Sequence, residues 1–296
     1  LIYKLKGVLE KELHDKELDT LFYTLELPLI EVLFRIEENG FMLDTQFLKE
    51  FSAALEKKLD TLIGAIFDSA QSEFNINSPK QLREVLFGKL KLPVIKKTKT
   101  GPSTDEEVLR KLASRHELPS LILEYRGIVK LKTTYVDVLP QLVDEKTHRI
   151  HSNFIQTGTE TGRLSSNNPN LQNIPIKTEL GRQIRRAFIA GSPQSSLLSS
   201  DYSQIELRVL AHLSKDEALA DAFKNDVDIH RATAALIYQI DDRDVQDQMR
   251  EIAKRVNFGV IYGMSAYGLS KDLDISLDVA QDFIDTYFIR YAKVKE

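Results

Sequence analysis

The sequence feature that most constrains the fold is a set of four residues spaced four apart: Arg250, Lys254, Phe258 and Tyr262. An α-helix turns about 100° per residue, so each four-residue step drifts by only about 40°. The spacing therefore predicts a helix whose one stripe carries two cations followed by two aromatic rings. Like charges one turn apart repel each other, and a bound polyphosphate would relieve that repulsion.

The stripe has two interpretations. In the first, the helix holds a nucleotide lengthwise, with its phosphates on the cations and its base or sugar against the rings. In the second, a solvated charged turn leads into an aromatic turn that faces the core, which is typical of amphipathic helices. The spacing alone leaves both open.

Composition excludes several classes of protein. The 296 residues are 42% hydrophobic and 28% charged, which is ordinary for a globular protein with one large or two to three modest domains. There is no cysteine, so disulfide frames and thiol chemistry are excluded, and an intracellular location is favoured. No apolar run approaches the roughly 18 residues of a membrane helix, so we expect no membrane partner. Because the chain starts at Leu1 without a methionine, we expect a piece of something longer.

The distribution of charge indicates a polyanionic partner. A net charge of −4 argues at first against nucleic acid, but residues 80–137 carry 13 basic against 7 acidic side chains. Residues 1–79 and 201–296 are both acidic overall. A basic middle between acidic ends is a candidate footprint for phosphates.

The first half of the sequence predicts helices with recognisable starts. An apolar stripe over 27–36 ends at Asn39-Gly40, and Thr45 is the predicted N-cap of a second helix through Phe67. Ser78 caps a third helix, with proline at the first position. Ser103 and Thr104, followed by two glutamates, predict a capping box before the next helix. A further helix is predicted over 119–139.

Two basic surfaces stand out in this half. Lys96, Lys97 and Lys99 lie in a predicted exposed, flexible loop that runs to Ser103, which either clamps a phosphate backbone or forms a plain surface turn. Arg126, Lys130 and Thr133 share one side of the 119–139 helix, a second candidate phosphate-binding face.

Directly after residue 140, the sequence pattern changes from helical periodicity to alternating and polar segments. Alternation over 147–157 predicts a strand, and the polar segment 161–173 must bond its amides to its own turns or to a ligand. Residues 197–200 predict a strand that ends at Asp201, with Ser203 capping the helix that follows. Asp201 is there either an exposed ligand for Mg²⁺ or a simple cap. Residues 216–296 predict helices, and His230 in them is either a surface residue or a phosphate donor.

Three segments together resemble family A DNA polymerases, and the likeness covers nearly the whole chain. They are TGRLSS with NLQNIP at residues 161–175, DYSQIELR at 201–208, and the Arg250–Gly263 helix. The resemblance implies an α+β, mainly helical fold with the right-hand architecture of thumb, palm and fingers. The expected divisions are an N-terminal connecting helix over 1–29, thumb over 30–140, part of the palm over 141–215 and fingers over 216–296.

The implied function is template-directed DNA synthesis, in which dNTPs are added to a primer 3′-hydroxyl by two-metal phosphoryl transfer. In this resemblance Asp201 is the catalytic aspartate, and Asp201 and the Tyr202 carbonyl hold Mg²⁺, with two ions expected in the complete enzyme. The implied dNTP-binding residues are Gln204, Glu206, His230, Arg250, Lys254, Phe258 and Tyr262. The implied DNA-binding residues are Arg126, Lys130, Arg163, Gln172 and Arg208, to which the basic loop adds Lys96, Lys97 and Lys99.

The sequence departs from the family in one respect. The family's second metal aspartate lies in a His-Asp-Glu turn after the fingers, and nothing after Tyr262 matches it, so we expect the chain as given to be catalytically incomplete. A non-catalytic fragment that binds primer–template and nucleotide is therefore an alternative. A single-subunit RNA polymerase is a further alternative, against which Glu206 and its Tyr-Ser-Gln-Ile-Glu context argue. The expected partners are primer–template DNA and dNTPs, with no membrane, for a monomer associated with the nucleoid in the cytoplasm.

Overall fold

A computed structural model describes residues 2–99, 101–176 and 178–296, without the side chain of Ile2. Leu1 of the predicted connecting helix and Thr100 of the basic loop lie outside the described residues. The chain divides into two compact units, Leu1–Leu198 and Ser199–Glu296. Helices dominate both units, as the mainly helical prediction requires.

The first unit contains eight α-helices among its described residues. They are α1 (Ile2–Asp15), α2 (Asp19–Leu21), α3 (Leu27–Asn39), α4 (Thr45–Ala70), α5 (Pro79–Arg83), α6 (Glu106–Leu112), α7 (Leu118–Leu131) and α8 (Glu179–Arg186). π-helical turns at Phe22–Glu26, Glu84–Lys89 and Lys132–Val136 continue α2, α5 and α7. A 3₁₀ turn covers Leu139–Leu142.

Among the described residues of the first unit, short strands form three small antiparallel sheets. The strands are β1 (Phe41–Leu43), β2 (Lys97–Thr98), β3 (Gly101–Pro102), β4 (Arg149–Ile150), β5 (Asn153–Ile155), β6 (Ser165–Asn167) and β7 (Phe188–Ile189). β1 lies between β4 and β7, β2 pairs with β3, and β5 pairs with β6. The bend between α3 and β1 requires glycine: Gly40 has a φ of 56°, and a Cβ there would lie 2.5 Å from the Ile150 carbonyl oxygen.

Apolar stripes explain how the first unit packs. One face of α4 buries Leu48, Leu55 and Leu62, which pack with Ile128 of α7. Farther along the same helix, Ile66 begins a second cluster with residues of α5, α6 and α7. At about 25 cal/mol per Å² of apolar surface removed from water, such leucines each contribute roughly 2 kcal/mol.

The second unit is helical throughout its regular structure. It consists of α9 (Ile205–Ser214), α10 (Glu217–Lys224), α11 (Ile229–Tyr238), α12 (Asp247–Ile261), α13 (Ala266–Leu273), α14 (Leu277–Arg290) and α15 (Ala292–Lys295), with a 3₁₀ turn at Asp242–Asp244. One apolar cluster joins α11, α12, α13 and α14, and another joins α9, α10, α11 and α14. The helices predicted after residue 216 are thus confirmed.

Three predicted caps were wrong by one or two residues. The N-cap of α9 is Gln204, not Ser203, and its side chain makes no capping hydrogen bond. Asp44, not Thr45, caps α4, because its carboxylate accepts the Phe47 amide at 2.8 Å. Asp105, not Ser103 or Thr104, caps α6 by accepting the Val108 amide at 2.9 Å. At α4 and α6, the carboxylate accepts the amide three residues farther on, which satisfies a free donor of the first turn and places negative charge at the positive end of the helix. Ser78 caps α5 as predicted.

Three other predictions need correction. Residues 197–200 form no strand, because no described strand pairs with them. Leu198 in this segment is 93% exposed. The alternating segment 147–157 is two strands, β4 and β5, separated by His151-Ser152. The helix predicted over 119–139 ends as an α-helix at Leu131, where the π-helical turn takes over.

Candidate functional site

One cavity of about 410 Å³ in the second unit collects most of the predicted nucleotide-site residues. The turn before α9, the first residues of α9, the start of α11 and one face of α12 surround it. The lining residues are Asp201, Tyr202, Ser203, Gln204, Ile205, Glu206, His230, Arg250, Lys254 and Phe258. All the predicted catalytic, metal-binding and nucleotide-binding residues except Tyr262 therefore lie around one cavity.

The turn at 201–204 forms the acidic side of the cavity. Asp201 and Tyr202 are exposed, Tyr202 by 79%. Gln204 follows with a left-handed φ of 52°, immediately before α9 begins at Ile205. Its Oε1 is buried and has no hydrogen-bond partner among the residues that the structure describes. A buried acceptor without a donor is costly, so this amide oxygen is a candidate contact for a ligand.

The stripe on α12 forms as its spacing predicts. Arg250 and Phe258 are half-buried, whereas Lys254 is exposed between them. The α-helix ends at Ile261, and Tyr262 is its C-cap, with its amide still bonded to the Phe258 carbonyl at 3.1 Å. Tyr262 is 66% exposed and is not among the residues that line the cavity.

Arg250 has a protein partner that fixes its position. Its Nε donates to Asp228 Oδ2 at 2.7 Å, and both side chains are about one-third exposed. Asp228 also caps α11, because its Oδ1 accepts the amides of His230 and Arg231. Burial alone would raise the pKa of Asp228, but the bonds from Arg250 and the Arg231 amide outweigh it and lower that pKa. One carboxylate therefore joins α11 to the cation on α12.

His230 is buried, with only 3% of its surface exposed, and belongs to a polar chain inside the unit. Thr233 Oγ1 donates to Asn257 Oδ1 at 3.0 Å, and Asn257 Nδ2 bonds with His230 Nδ1 at 2.8 Å. Phe258 packs at 5.7 Å between ring centroids. Burial lowers the pKa of His230 to about 4, and the cations Arg250 and Lys254 add to that effect. The imidazole is therefore neutral near pH 7. The surface alternative for His230 is wrong.

Sequence reasoning missed three residues that bond behind the cavity lining and do not line it themselves: Asp228, Thr233 and Asn257. Asn257 offered a weak signal, since it is a polar residue on the buried stripe of α12 between Val256 and Gly259. Thr233 offered none, because its role depends on how α11 packs against α12. Chemically, the cavity combines carboxylates, two cations, a neutral imidazole and an aromatic ring, which suits an anionic ligand with an apolar part.

The predicted DNA-binding residues have varied surroundings. Arg126 is half-buried and donates to the Thr104 carbonyl at 2.6 Å, whereas Lys130 is exposed on the same helix. Arg163 is exposed. Gln172 bonds within its own turn, donating to the Leu164 carbonyl at 2.8 Å. In the second unit, Arg208 donates to the Ser203 carbonyl and its guanidinium lies 4.6 Å from the Phe223 ring centroid.

The basic segment predicted as a flexible loop is a β-hairpin. β2 and β3 pair through Lys97 and Pro102, and the Thr98 hydroxyl donates to the Gly101 carbonyl at 2.9 Å. Lys96 is bonded to Asp105 at 2.8 Å, and that bond raises the pKa of the lysine. Lys97 and Lys99 are exposed.

No helix among the described residues is long and apolar enough to cross a membrane.

The segment 161–173 bonds several of its amides to other parts of the first unit and to its own side chains. β6 pairs with β5, and Asn170 Oδ1 accepts the amides of Gln172 and Asn173 at 3.0 and 3.3 Å. The turn at Asn170 shows that the segment satisfies part of its amides through a turn of its own.

Comparison with known proteins gives a consistent result. The family model for DNA polymerase family A matches residues 45–296. The chain is 52% identical over 278 residues to DNA polymerase I of Caldicellulosiruptor bescii, covering 93% of this chain and 32% of that one. It is 48% identical over 295 residues to DNA polymerase I of Geobacillus stearothermophilus, covering 100% of this chain and 34% of that one.

A solved structure agrees over the same length. The POL domain of Pol1 from M. smegmatis, in complex with DNA primer–template and dNTP, superposes with a TM-score of 0.92 at 38% identity. The match covers 99% of this chain and 52% of that chain. The chain spans about a third of the length of the curated relatives it matches. The mainly helical polymerase fold is confirmed, and the chain belongs to DNA polymerase family A.

Proposed function

We propose that this chain supplies the dNTP-binding and DNA-binding parts of a template-directed DNA polymerase. The observation that carries the proposal is the cavity that gathers Asp201, Arg250, Lys254 and Phe258. The M. smegmatis relative, solved with primer–template and dNTP, supports the same ligands for this chain. Primer–template DNA as a partner also favours chromosomal DNA in the cytoplasm as the place where the protein acts.

Each lining residue has a role that fits its surroundings. Lys254, exposed on the stripe, offers a mobile point charge to the triphosphate, and Arg250 offers a fixed guanidinium. The neutral imidazole of His230 donates one hydrogen bond to a phosphate oxygen. Phe258 packs against the base or sugar. Glu206 lies under the sugar, where the family resemblance assigns it the rejection of a 2′-hydroxyl.

The residues present fit Mg²⁺ as the metal. Mg²⁺ is usually held by one or two carboxylates, substrate phosphates and several waters rather than by an all-protein cage. Asp201 offers one exposed carboxylate and Tyr202 a carbonyl, and the described residues contain no group of three or more acidic, histidine or cysteine side chains able to hold a metal. When bound, the ion would stabilise negative charge developing on the phosphates.

DNA contacts are proposed from both units, each taken separately. In the first unit, the exposed Lys97, Lys99 and Lys130 suit contacts to the phosphate backbone. Arg163 and, in the second unit, Arg208 are proposed contacts near the primer–template junction. The thumb, palm and finger boundaries at residues 30, 141 and 216 remain part of this proposal.

The test is whether nucleotide affinity depends on the template. Purified residues 1–296 would be titrated with each of the four dNTPs in the presence of Mg²⁺ and a primer–template whose next templating base is varied. We expect the complementary dNTP to bind most tightly each time, because base pairing adds to the contacts in the cavity. Equal affinity for all four at every template base would contradict the proposal.

Two comparisons complete the design. Asp201→Asn should reduce the effect of Mg²⁺ on dNTP affinity, whereas Asp278→Asn, on α14, should leave it unchanged. Primer extension by the same polypeptide separates the polymerase from its alternative. Extension would show that residues 1–296 contain every group that the chemistry needs, and template-dependent binding without extension would favour the non-catalytic fragment.

A further inference from the structure

Thr233, Asn257 and His230 form a buried chain of hydrogen bonds between α11 and α12. Thr233 and Asn257 have no exposed surface, and His230 has 3%. Three polar side chains at the contact of α11 and α12 are costly to desolvate unless each bond is satisfied. His230, at the end of these hydrogen bonds, also lines the cavity. The bonded side chains therefore connect the interior of the unit to the candidate nucleotide site.

The direction of the bonds decides which imidazole nitrogen carries the proton. The Thr233 hydroxyl donates to Asn257 Oδ1, which leaves the Asn257 amide group, Nδ2, facing His230 Nδ1 at 2.8 Å. An NH₂ group only donates, so Nδ1 must accept. A neutral imidazole whose Nδ1 accepts carries its proton on Nε2. The lowered pKa of His230, about 4, agrees with a neutral ring.

We propose that Asn257 is a positioning residue that holds His230 in the Nε2–H tautomer, so that the ring donates a hydrogen bond into the nucleotide cavity. This inference rests on the proposed function for the ligand, but not for the tautomer. Without Asn257 the ring can turn or exchange tautomers, and a lone pair instead of a proton would then meet a phosphate oxygen. Thr233 acts one step farther away, by fixing which end of the Asn257 amide faces the ring.

Charged groups near the ring must be considered in any test. On α11 the cap Asp228 lies two residues from His230, and on α12 Arg250, Glu251 and Lys254 act on the ring electrostatically. Asp201 and Glu206 line the same cavity. None of these side chains is altered in the variants below, so differences between variants report on the polar chain.

The first experiment reads the tautomer directly. ¹⁵N NMR of histidine-labelled chain separates protonated from unprotonated ring nitrogens, and His230→Gln assigns the His230 signals among the six histidines. We expect Nε2 protonated and Nδ1 unprotonated at pH 7 without any nucleotide. In Asn257→Asp the carboxylate accepts, so Nδ1 should become protonated. Protonated Nδ1 in the unaltered chain would overturn the proposal, whether or not the chain binds nucleotides.

The second experiment reads the consequence for binding. We expect Asn257→Asp to weaken dATP binding by about 10- to 100-fold at pH 8, the range for one hydrogen bond to a charged group. The added carboxylate raises the pKa of His230. The loss should therefore shrink as pH falls and the ring regains a proton on Nε2, whereas loss of packing would be independent of pH.

A milder variant covers the case in which Asn257→Asp does not fold. Thr233→Val keeps the shape and removes the hydroxyl, so the Asn257 amide can turn over. We expect a mixture of His230 tautomers in its NMR spectrum and a loss of dATP affinity smaller than that in Asn257→Asp. Weakened dATP binding with an unchanged His230 tautomer would show that Thr233 does not act on His230 through Asn257, and would overturn that part of the proposal. If the unaltered chain shows the expected tautomer but binds no dATP, the proposed function fails and the assignment of Asn257 to the tautomer stands.

Discussion

Asp228 is the residue whose substitution best tests how the cavity is held together. It contributes two separable interactions: a cap on the amides of His230 and Arg231, at 3.0 and 3.2 Å, and a bond of 2.7 Å to Arg250. Asn retains the cap but not the charge, whereas Ala removes both. The pair of variants Asp228→Asn and Asp228→Ala therefore separates the two contributions.

The magnitudes follow from exposure and geometry. A lost N-cap costs about 1 kcal/mol. The Asp228–Arg250 pair is about one-third exposed, so it lies between exposed ion pairs, worth about 0–1 kcal/mol, and buried pairs, whose rupture costs about 3–5 kcal/mol. We take about 1–2 kcal/mol for it. The free energy of unfolding of the second unit should then fall by about 1–2 kcal/mol in Asn and about 2–3 kcal/mol in Ala.

The pH dependence has a definite sign. The pKa of Asp228 is lowered from its ordinary value of 3.8 in the folded state. Its charge therefore contributes stability that is fully present above the unfolded pKa and is lost as pH falls through the folded pKa. The difference between the unaltered chain and Asp228→Asn should be constant above about pH 5 and should shrink below about pH 4.

The assay must report on the second unit alone, because a chain with two compact units need not unfold in one step. Hydrogen exchange of the buried Ala234 and Ala253 amides, inside α11 and α12 and away from the cap, in increasing urea meets this need. Asp272→Asn is the matched control, since Asp272 pairs with Arg255 at 3.4 Å and both are over 40% exposed. If Asp228→Asn lowers the unfolding free energy no more than this control, the assignment of Arg250 to a fixed ion pair is wrong.

Three further outcomes are expected. Lys254→Ala should weaken dATP binding by about 10- to 100-fold through one lost charge-assisted contact, whereas Lys224→Ala, outside the cavity lining, should not; equal losses would remove Lys254 from the site. Replacing Lys97 and Lys99 by Ala should make the plot of log affinity for duplex DNA against log salt concentration less steep, by about 0.9 per lost contact. An unchanged slope would show that the hairpin does not touch the DNA backbone. Glu206→Ala should narrow the preference for dATP over ATP, measured by competition, because a shorter side chain leaves room for the 2′-hydroxyl; an unmoved ratio would contradict the sugar assignment.

The parts of the site that periodicity controls could be predicted from sequence. The stripe on α12 follows from helical geometry, because the positions of Arg250, Lys254 and Phe258 depend only on residues within three turns. The buried leucines of α4 follow for the same reason. Local patterns of this kind need no knowledge of a partner element.

Features that depend on a distant partner could not be predicted. The pattern Leu197-Leu198-Ser199-Ser200 predicts a strand, but a strand exists only where a second one satisfies its amides, and the local pattern contains no information on that. The pairing of Thr233 with Asn257 requires the contact between α11 and α12. Caps were missed for a different reason: where Asp105 and Ser103 compete, the outcome depends on which acceptor reaches the free amide.

Under the proposed function, the balance of charge in the cavity favours a triphosphate that enters together with a divalent cation. Its lining carries Asp201 and Glu206 against Arg250 and Lys254, and Asp228 already neutralises much of the charge of Arg250. His230 adds no charge, because burial keeps it neutral. A triphosphate entering without a cation would therefore meet carboxylates that are not fully compensated, and Coulomb repulsion is strong in a partly desolvated cleft. Under the proposed function, a divalent cation held by the phosphates and Asp201 would turn that repulsion into attraction, so these carboxylates would favour the metal complex over the bare nucleotide.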